Sequence, residues 1–230
     1  MGADVLRTEI FAKFEPGASY QVFVLKSPHS VKRRLRCEQF KPTLPILTEN
    51  RMLKNVELNS KRLKTRNLNE GDIEKLFKIY SDKESMKFRG SKPMNKIADA
   101  SKMIFDQTIE KNNIIKIRKA IIKKENKELI GTLLLECDKS FPNRCEIGFS
   151  FEKSEWNNGY GKETLDMVLE KLKTINSIKE VKAWCIKKNI ASVKILEKKG
   201  FTRINQNEFP ESYLFIKELK KTAHNNVYKK

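Results

Sequence analysis

The sequence predicts an α/β (α+β) fold, and three stretches carry that prediction. Residues 145 to 151, Cys-Glu-Ile-Gly-Phe-Ser-Phe, alternate as a strand does. Cys145, Ile147, Phe149 and Phe151 take one face, and Glu146, Gly148 and Ser150 take the other. Beyond a glycine-bearing loop, Leu165, Val168, Leu169 and Leu172 recur at the three- and four-residue spacing of an amphipathic helix. Downstream, "VKAWCI" (181–186), residues 189 to 199 and the run from Phe201 repeat the order strand, helix, strand.

The remaining elements follow in chain order. Residues 1 to 51 hold five arginines and four of the seven prolines, and include "VKRRLRCEQ". They read as an appendage: a short hairpin across Glu-Pro-Gly-Ala, then "KPTLPILTENR" as an extended tether, because its two prolines deny it a helix. The folded part runs from Met52 to 219, and a polar tail occupies 220 to 230. A strand is expected at 60–68. A helix then follows Asn69 with Ile73, Leu76, Phe77 and Tyr80 on one face, and a second runs through Ile97, Ala100, Ile104 and Thr108. Strands are expected at 113–122, 128–137 and 144–151. The helix after the glycines, a strand at 180–186, a helix at 189–199 and strands at 200–206 and 211–218 complete the set.

"WNNGYGKET" (156–164) spends two of only nine glycines just ahead of a helix. Asn158-Gly159 would be a hairpin signal between two strands, but the second flank is helical. A glycine loop feeding a helix start presents unpaired N–H groups and the positive end of the helix dipole, which together suit phosphate. The third glycine of a dinucleotide fingerprint is missing, and so is the Gly-Lys-Ser/Thr of a phosphate-binding P-loop. In the next unit Asn189 stands as an N-cap, Gly200 as a left-handed helix end, and Ile190, Val193 and Leu196 as an apolar stripe.

"EIGFSF", "WNNGYGKET" and "NIASVKILEKKGF", in that order, resemble the GNAT superfamily of acetyl-CoA-dependent N-acetyltransferases. The opening from Arg62 to Asp72 (R-L-x-x-R-x-L-x-x-x-D) and Trp156 at the head of the loop resemble the ribosomal-protein-alanine acetyltransferase-like (RimJ/RimL-type) branch. The resemblance spans about residues 53 to 218. It implies a mixed sheet of about six or seven strands, splayed in the middle between 145–151 and 180–186, with helices on both faces. It implies that acetyl-CoA is the co-substrate, its pyrophosphate held by Trp156, Asn157, Asn158, Gly159, Tyr160, Gly161 and Lys162. The pantetheine arm would lie along Phe149, Ser150 and Phe151, with Asn189 and Ser192 on its other side.

The reaction so implied is direct acetyl transfer, in a ternary complex, to a primary amine: a protein N-terminus, a polyamine or another small molecule. An amine with a pKa near 10 must lose a proton before or during attack. Glu146, on the strand face that the family turns toward the acceptor, is the candidate base, directly or through water; a surface carboxylate paired with lysine is the competing reading. Many members carry a tyrosine acid where this chain has Leu196, which leaves Ser192 or water as the donor. The alternative function is a GNAT-fold protein that binds nucleic acid or ribosome with little or no catalysis.

Composition bounds the rest. With 39% hydrophobic residues the chain can bury a core, and it has no apolar run of about 18 residues for a membrane span. Cys37, Cys137, Cys145 and Cys185 form no Cys-x-x-Cys pair, and His29 and His224 are the only histidines, so no metal site is expected. A cytoplasmic monomer or homodimer is the simplest expectation. The formal charge of +19 invites nucleic acid as a partner, but from residue 61 onward 32 Lys outnumber 6 Arg. Lysines scattered over exposed positions read as a solvated face. "KRRLR" is either a nucleic-acid arm or a solvated tether, and the tether is favoured.

Overall fold

The structure is a computed structural model that describes residues 57–89, 91–206 and 208–220. The expectations for residues 1 to 51 and for the tail after Lys220 lie outside them. Eight strands form one sheet: β1 (Leu63–Arg66), β2 (Thr108–Lys111), β3 (Ile114–Lys123), β4 (Leu129–Asp138), β5 (Arg144–Phe151), β6 (Glu180–Ile186), β7 (Thr202–Ile204) and β8 (Ser212–Glu218). Their spatial order is β1-β3-β4-β5-β6-β8-β7, with β2 beside β3. Among the described strands, β5 and β6 make the one parallel pair. The helices are α1 (Ile73–Ser81), α2 (Lys83–Met86), α3 (Ile97–Phe105), α4 (Tyr160–Lys173) and α5 (Ile190–Lys198).

The sheet separates two cores. On one face Leu133, Leu135, Cys145 and Ile147 meet Leu165, Val168, Leu169 and Leu172 of α4 and Val193 and Leu196 of α5. Each such side chain taken fully from water stabilises the fold by about 1.5–3 kcal/mol. On the other face Leu76, Ile79 and Tyr80 of α1 and Ala100 of α3 close over Ala120, Ile122 and Leu129. Ile121 and Ile122 enter opposite cores by the ordinary alternation of β3, and the register shift beside them leaves Ile130 of β4 as an extra residue between Leu129 and Gly131.

Four boundaries differ from the sequence-based expectation. The helix expected to reach Thr108 stops at Phe105, and Thr108 begins β2, paired with Ile117. Asn112 and Asn113, at φ 50° and 64°, form the two-residue turn that folds β2 onto β3. Both residues of such a turn need positive φ, which asparagine tolerates. The strand expected at 60–68 pairs only over Leu63–Arg66. The chain leaves it because Arg66 forks onto Asp72 (2.6 and 2.7 Å), whose carboxylate also accepts from the Asn69 N–H (2.9 Å). The end strands shorten to 202–204 and 212–218. Of the apolar stripe on α5, Ile190 is 55% exposed, whereas Val193 and Leu196 are buried. It lies in the first turn, ahead of the part that packs.

Candidate active site

The parallel pair is short. Arg144, Cys145 and Glu146 of β5 stand opposite Glu180, Val181 and Lys182 of β6, and no register continues beyond them. From Ile147 and Ala183 onward each strand keeps only its antiparallel neighbour, β4 or β8. The sheet therefore opens as a cleft whose closed end is at Glu146.

At the mouth of this cleft stands the loop before α4. Asn157 (φ 63°) and Gly159 (φ 77°) are left-handed, and Gly159 is the N-cap. Glu163 makes the first helical bond, to the Gly159 carbonyl at 3.1 Å. The N–H groups of Asn157 to Lys162 have no protein partner among the described residues. Unpaired backbone donors at a helix start are suited to an anion. The two glycines serve different ends. Gly159 is needed for its φ, while Gly161 is needed for space: a Cβ there would stand 3.3 Å from both Phe149 Cε2 and Ile195 Cδ1.

Several predicted loop side chains face inward. The Trp156 indole N–H donates to the Phe151 carbonyl (3.3 Å), and its ring packs edge-on against Phe88 (5.9 Å). Trp156 thus anchors the loop, leaving the donors to backbone. Tyr160 lies between the Phe151 ring and the Arg62 guanidinium, which sits 4.5 Å above its centroid. Asn158 and Lys162 are exposed. The chain entering the loop is held by ion pairs of Glu152 with Lys75 (2.5 Å) and Lys78 (2.7 Å), and of Glu155 with Lys123 (2.9 Å).

The residues expected on the far side are placed by α5. Asn189 Oδ1 accepts the Ser192 N–H at 3.1 Å, so its carbonyl oxygen is engaged as the helix cap. Ser192 is half-buried, and Leu196, where the tyrosine acid would stand, is buried in the core at 4% exposure. Val193 and Leu196 bind α5 to the face opposite Glu146, and no hydrogen bond joins Ser192 to Glu146 among the described residues.

Glu146 belongs to a row that crosses four strands. In register, Lys116 of β3 faces Glu136 of β4, Glu136 faces Glu146 of β5, and Glu146 faces Lys182 of β6. Lys116 and Glu136 form an ion pair at 2.7 Å. Burial, and then the neighbouring Glu136 charge, hold the Glu146 carboxyl above its usual value; Lys182, the Trp184 indole and Lys116 pull the other way. Beside it Gly148 leaves room, since a Cβ would meet only Leu134 at 3.9 Å. Ser150, on the same face, bonds toward Tyr80, whose hydroxyl meets Thr132 Oγ1 (2.6 Å) and Arg118 Nη1 (3.0 Å).

Glu136, Trp184, Tyr80 and Arg62 are the site neighbours that sequence reasoning missed as such. The strand patterns at 128–137 and 180–186 contained the first two, but nothing local says which strands stand together. A recess of about 450 Å³ lined by Glu57, Arg66, Asn67, Leu68, Asn69 and Lys119 contains none of the predicted site residues.

A sheet split at its parallel pair, with a helix start beside the split, is an arrangement suited to a phosphate-bearing ligand. A family model described as Acetyltransferase (GNAT) domain matches residues 62–202, and the chain belongs to that family. It is an acyltransferase of the N-acetyltransferase type. The uncharacterized N-acetyltransferase YoaA of Bacillus subtilis is 28% identical over 146 residues, which cover 64% of this chain and 82% of that protein. Among solved structures, a spermidine N-acetyltransferase from Vibrio cholerae in complex with CoA and spermine superposes with a TM-score of 0.58. Its identity is 15%, over 70% of this chain and 97% of that one. RimL, a ribosomal alpha-N-protein acetyltransferase in complex with coenzyme A, superposes at 0.60 with 14% identity, over 71% and 98%.

Proposed function

We propose that the protein transfers the acetyl group of acetyl-CoA to a primary amine, directly and within a ternary complex. The observation that carries this reading is the juxtaposition at the split: six amides without a partner among the described residues at one wall and a half-buried carboxylate, Glu146, at the closed end. The loop fits a diphosphate, because a left-handed glycine and free N–H groups let backbone approach phosphate oxygens closely. Acetyl-CoA, when bound, supplies an acetyl thioester. The protein's part is to hold the phosphates on residues 157–162 and to leave β5 backbone past Glu146 unpaired on its β6 side. Glu146 accepts the proton that the amine nitrogen loses. A carboxyl raised by burial is a better base near neutrality than an exposed one.

The acceptor reading is a primary amine on a protein N-terminus or on a small molecule. The structural neighbours include one protein of each kind by their names. The opening Arg62–Asp72 and Trp156 support the ribosomal-protein-alanine-like branch. Cys137, Cys145 and Cys185 are free and buried, which supports a reducing compartment such as the cytoplasm.

Calorimetric titration with acetyl-CoA, followed by acetylation assays on a polyamine and on peptides with free N-termini, tests the proposal. Binding together with turnover on one amine class is expected. Failure to bind acetyl-CoA overturns it, and binding without turnover on any amine favours the non-catalytic alternative.

A further inference from the structure

We infer that Arg62 is a ligand of the diphosphate, a side-chain cation that completes the backbone cradle. This rests on the acetyl-CoA reading above. Arg62 lies a hundred residues upstream of the loop, yet four contacts fix it there. Its backbone N–H donates to Glu163 Oε1 (2.8 Å), and its carbonyl accepts from the Lys124 N–H (2.8 Å). Its Nε donates to Glu163 Oε2 (2.7 Å), and its guanidinium lies over the Tyr160 ring at 4.5 Å.

These contacts use the root of the side chain and one face of the guanidinium. They leave both terminal nitrogens, and Nη2 would stand 3.6 Å from a Cβ built on Gly159. The side chain is 46% exposed, so the fork opens to solvent beside the free amides. A planar two-pronged donor held in position loses little conformational entropy when it meets two phosphate oxygens. Glu163 has two consequences. Its carboxylate, held below the usual range by the Arg62 and Ser60 hydrogen bonds against the cost of burial, stays ionised and orients the guanidinium. It also occupies Nε, so that only the Nη pair remains for a ligand.

The test is calorimetric titration of the wild-type chain, Arg62→Gln, Arg62→Lys and Glu163→Gln with CoA and with 3′-dephospho-CoA. Thermal unfolding of each variant reports whether the fold survives. Arg62→Gln is expected to weaken both ligands about tenfold or more, to a similar degree, because both carry the diphosphate. Arg62→Lys keeps the charge and loses the fork, so an intermediate loss is expected. Glu163→Gln keeps the fork and loosens it, for a smaller loss. Wild-type affinity in folded Arg62→Gln or in Arg62→Lys overturns the assignment. A loss confined to CoA overturns the diphosphate in favour of the 3′-phosphate. A wild-type chain blind to CoA instead removes the acetyl-CoA reading itself.

Discussion

The loop at 156–163 and the charge row Lys116, Glu136, Glu146 and Lys182 meet at the same cleft but are built in different ways. The loop is one run of chain whose conformation comes from its own residues: two left-handed positions, a helix start and a tryptophan anchor. The row takes one residue from each of four strands, and no two of its members are closer than ten positions in sequence. The contrast is physical. Backbone donors suited to a constant group such as a diphosphate can be presented by one short run of chain. Proton chemistry needs a carboxylate whose basicity is set by neighbours, and neighbours across a sheet come from far apart in the chain.

The comparison breaks most decisively at Glu146. Glu146→Gln keeps the shape but cannot accept a proton, so with Glu146 as the proposed base turnover is expected to fall by about 10²-fold or more while acetyl-CoA affinity stays unchanged. Steady-state kinetics on any accepted amine, across the neutral pH range, checks this. Unaltered turnover with an unaltered pH profile would reduce Glu146 to a structural carboxylate. The loop breaks in the complementary way. Gly159→Val meets a φ of 77°, and Gly161→Val presses on Phe149 and Ile195, so each is expected to cost about tenfold or more in acetyl-CoA affinity. Titration calorimetry on the folded variants measures it.

Glu136→Gln sharpens the row. Removing that negative charge relieves a repulsion that holds the Glu146 carboxyl up, and it frees Lys116 to pull in the same direction. Glu146 then deprotonates at lower pH, so the acid limb of the kcat/KM profile should move to lower pH. A shift to higher pH would exclude the coupling. Ser192→Ala should lower turnover far less than Glu146→Gln, because a hydroxyl is a poor acid and water replaces it.

The smallest effect is expected at the ion pairs behind the loop. Lys75, and then Lys123, hold Glu128 at about 2, below its reference value of 4.5. A depressed carboxylate stabilises the fold above its unfolded value and loses that contribution as pH falls through the folded one. Wild type and Glu128→Gln should therefore differ slightly in thermal stability at neutral pH and converge as pH drops from about 4.5 to about 2. The difference is small because the Glu128 side chain is 39% exposed.

The loop was readable because its signals are local. Glycines at 159 and 161, the alternation at 145–151 and the stripe at Leu165, Val168, Leu169 and Leu172 each lie within a short window. The end of α3 is hidden in the sequence because Thr108 continues the helical spacing, and the competing signal is the turn at Asn112-Asn113. Trp156 occupies the first loop position, where its indole bonds the Phe151 carbonyl and packs on Phe88, contacts that no local pattern announces.

Alternation and helical periodicity are properties of consecutive residues, so the order of strand, glycine loop and helix, and the face that carries Glu146, follow from the chain alone. The partners of that face do not. That Glu136 stands beside Glu146, that Lys182 closes the row and that Arg62 reaches Gly159 depend on strand register and on contacts between segments up to a hundred residues apart. Register is set when whole hydrophobic faces are buried together, because a slip by one residue would turn every side chain of a strand to the wrong side. That cooperative choice, made by the two cores of the sheet, places Glu146 at the closed end of the cleft.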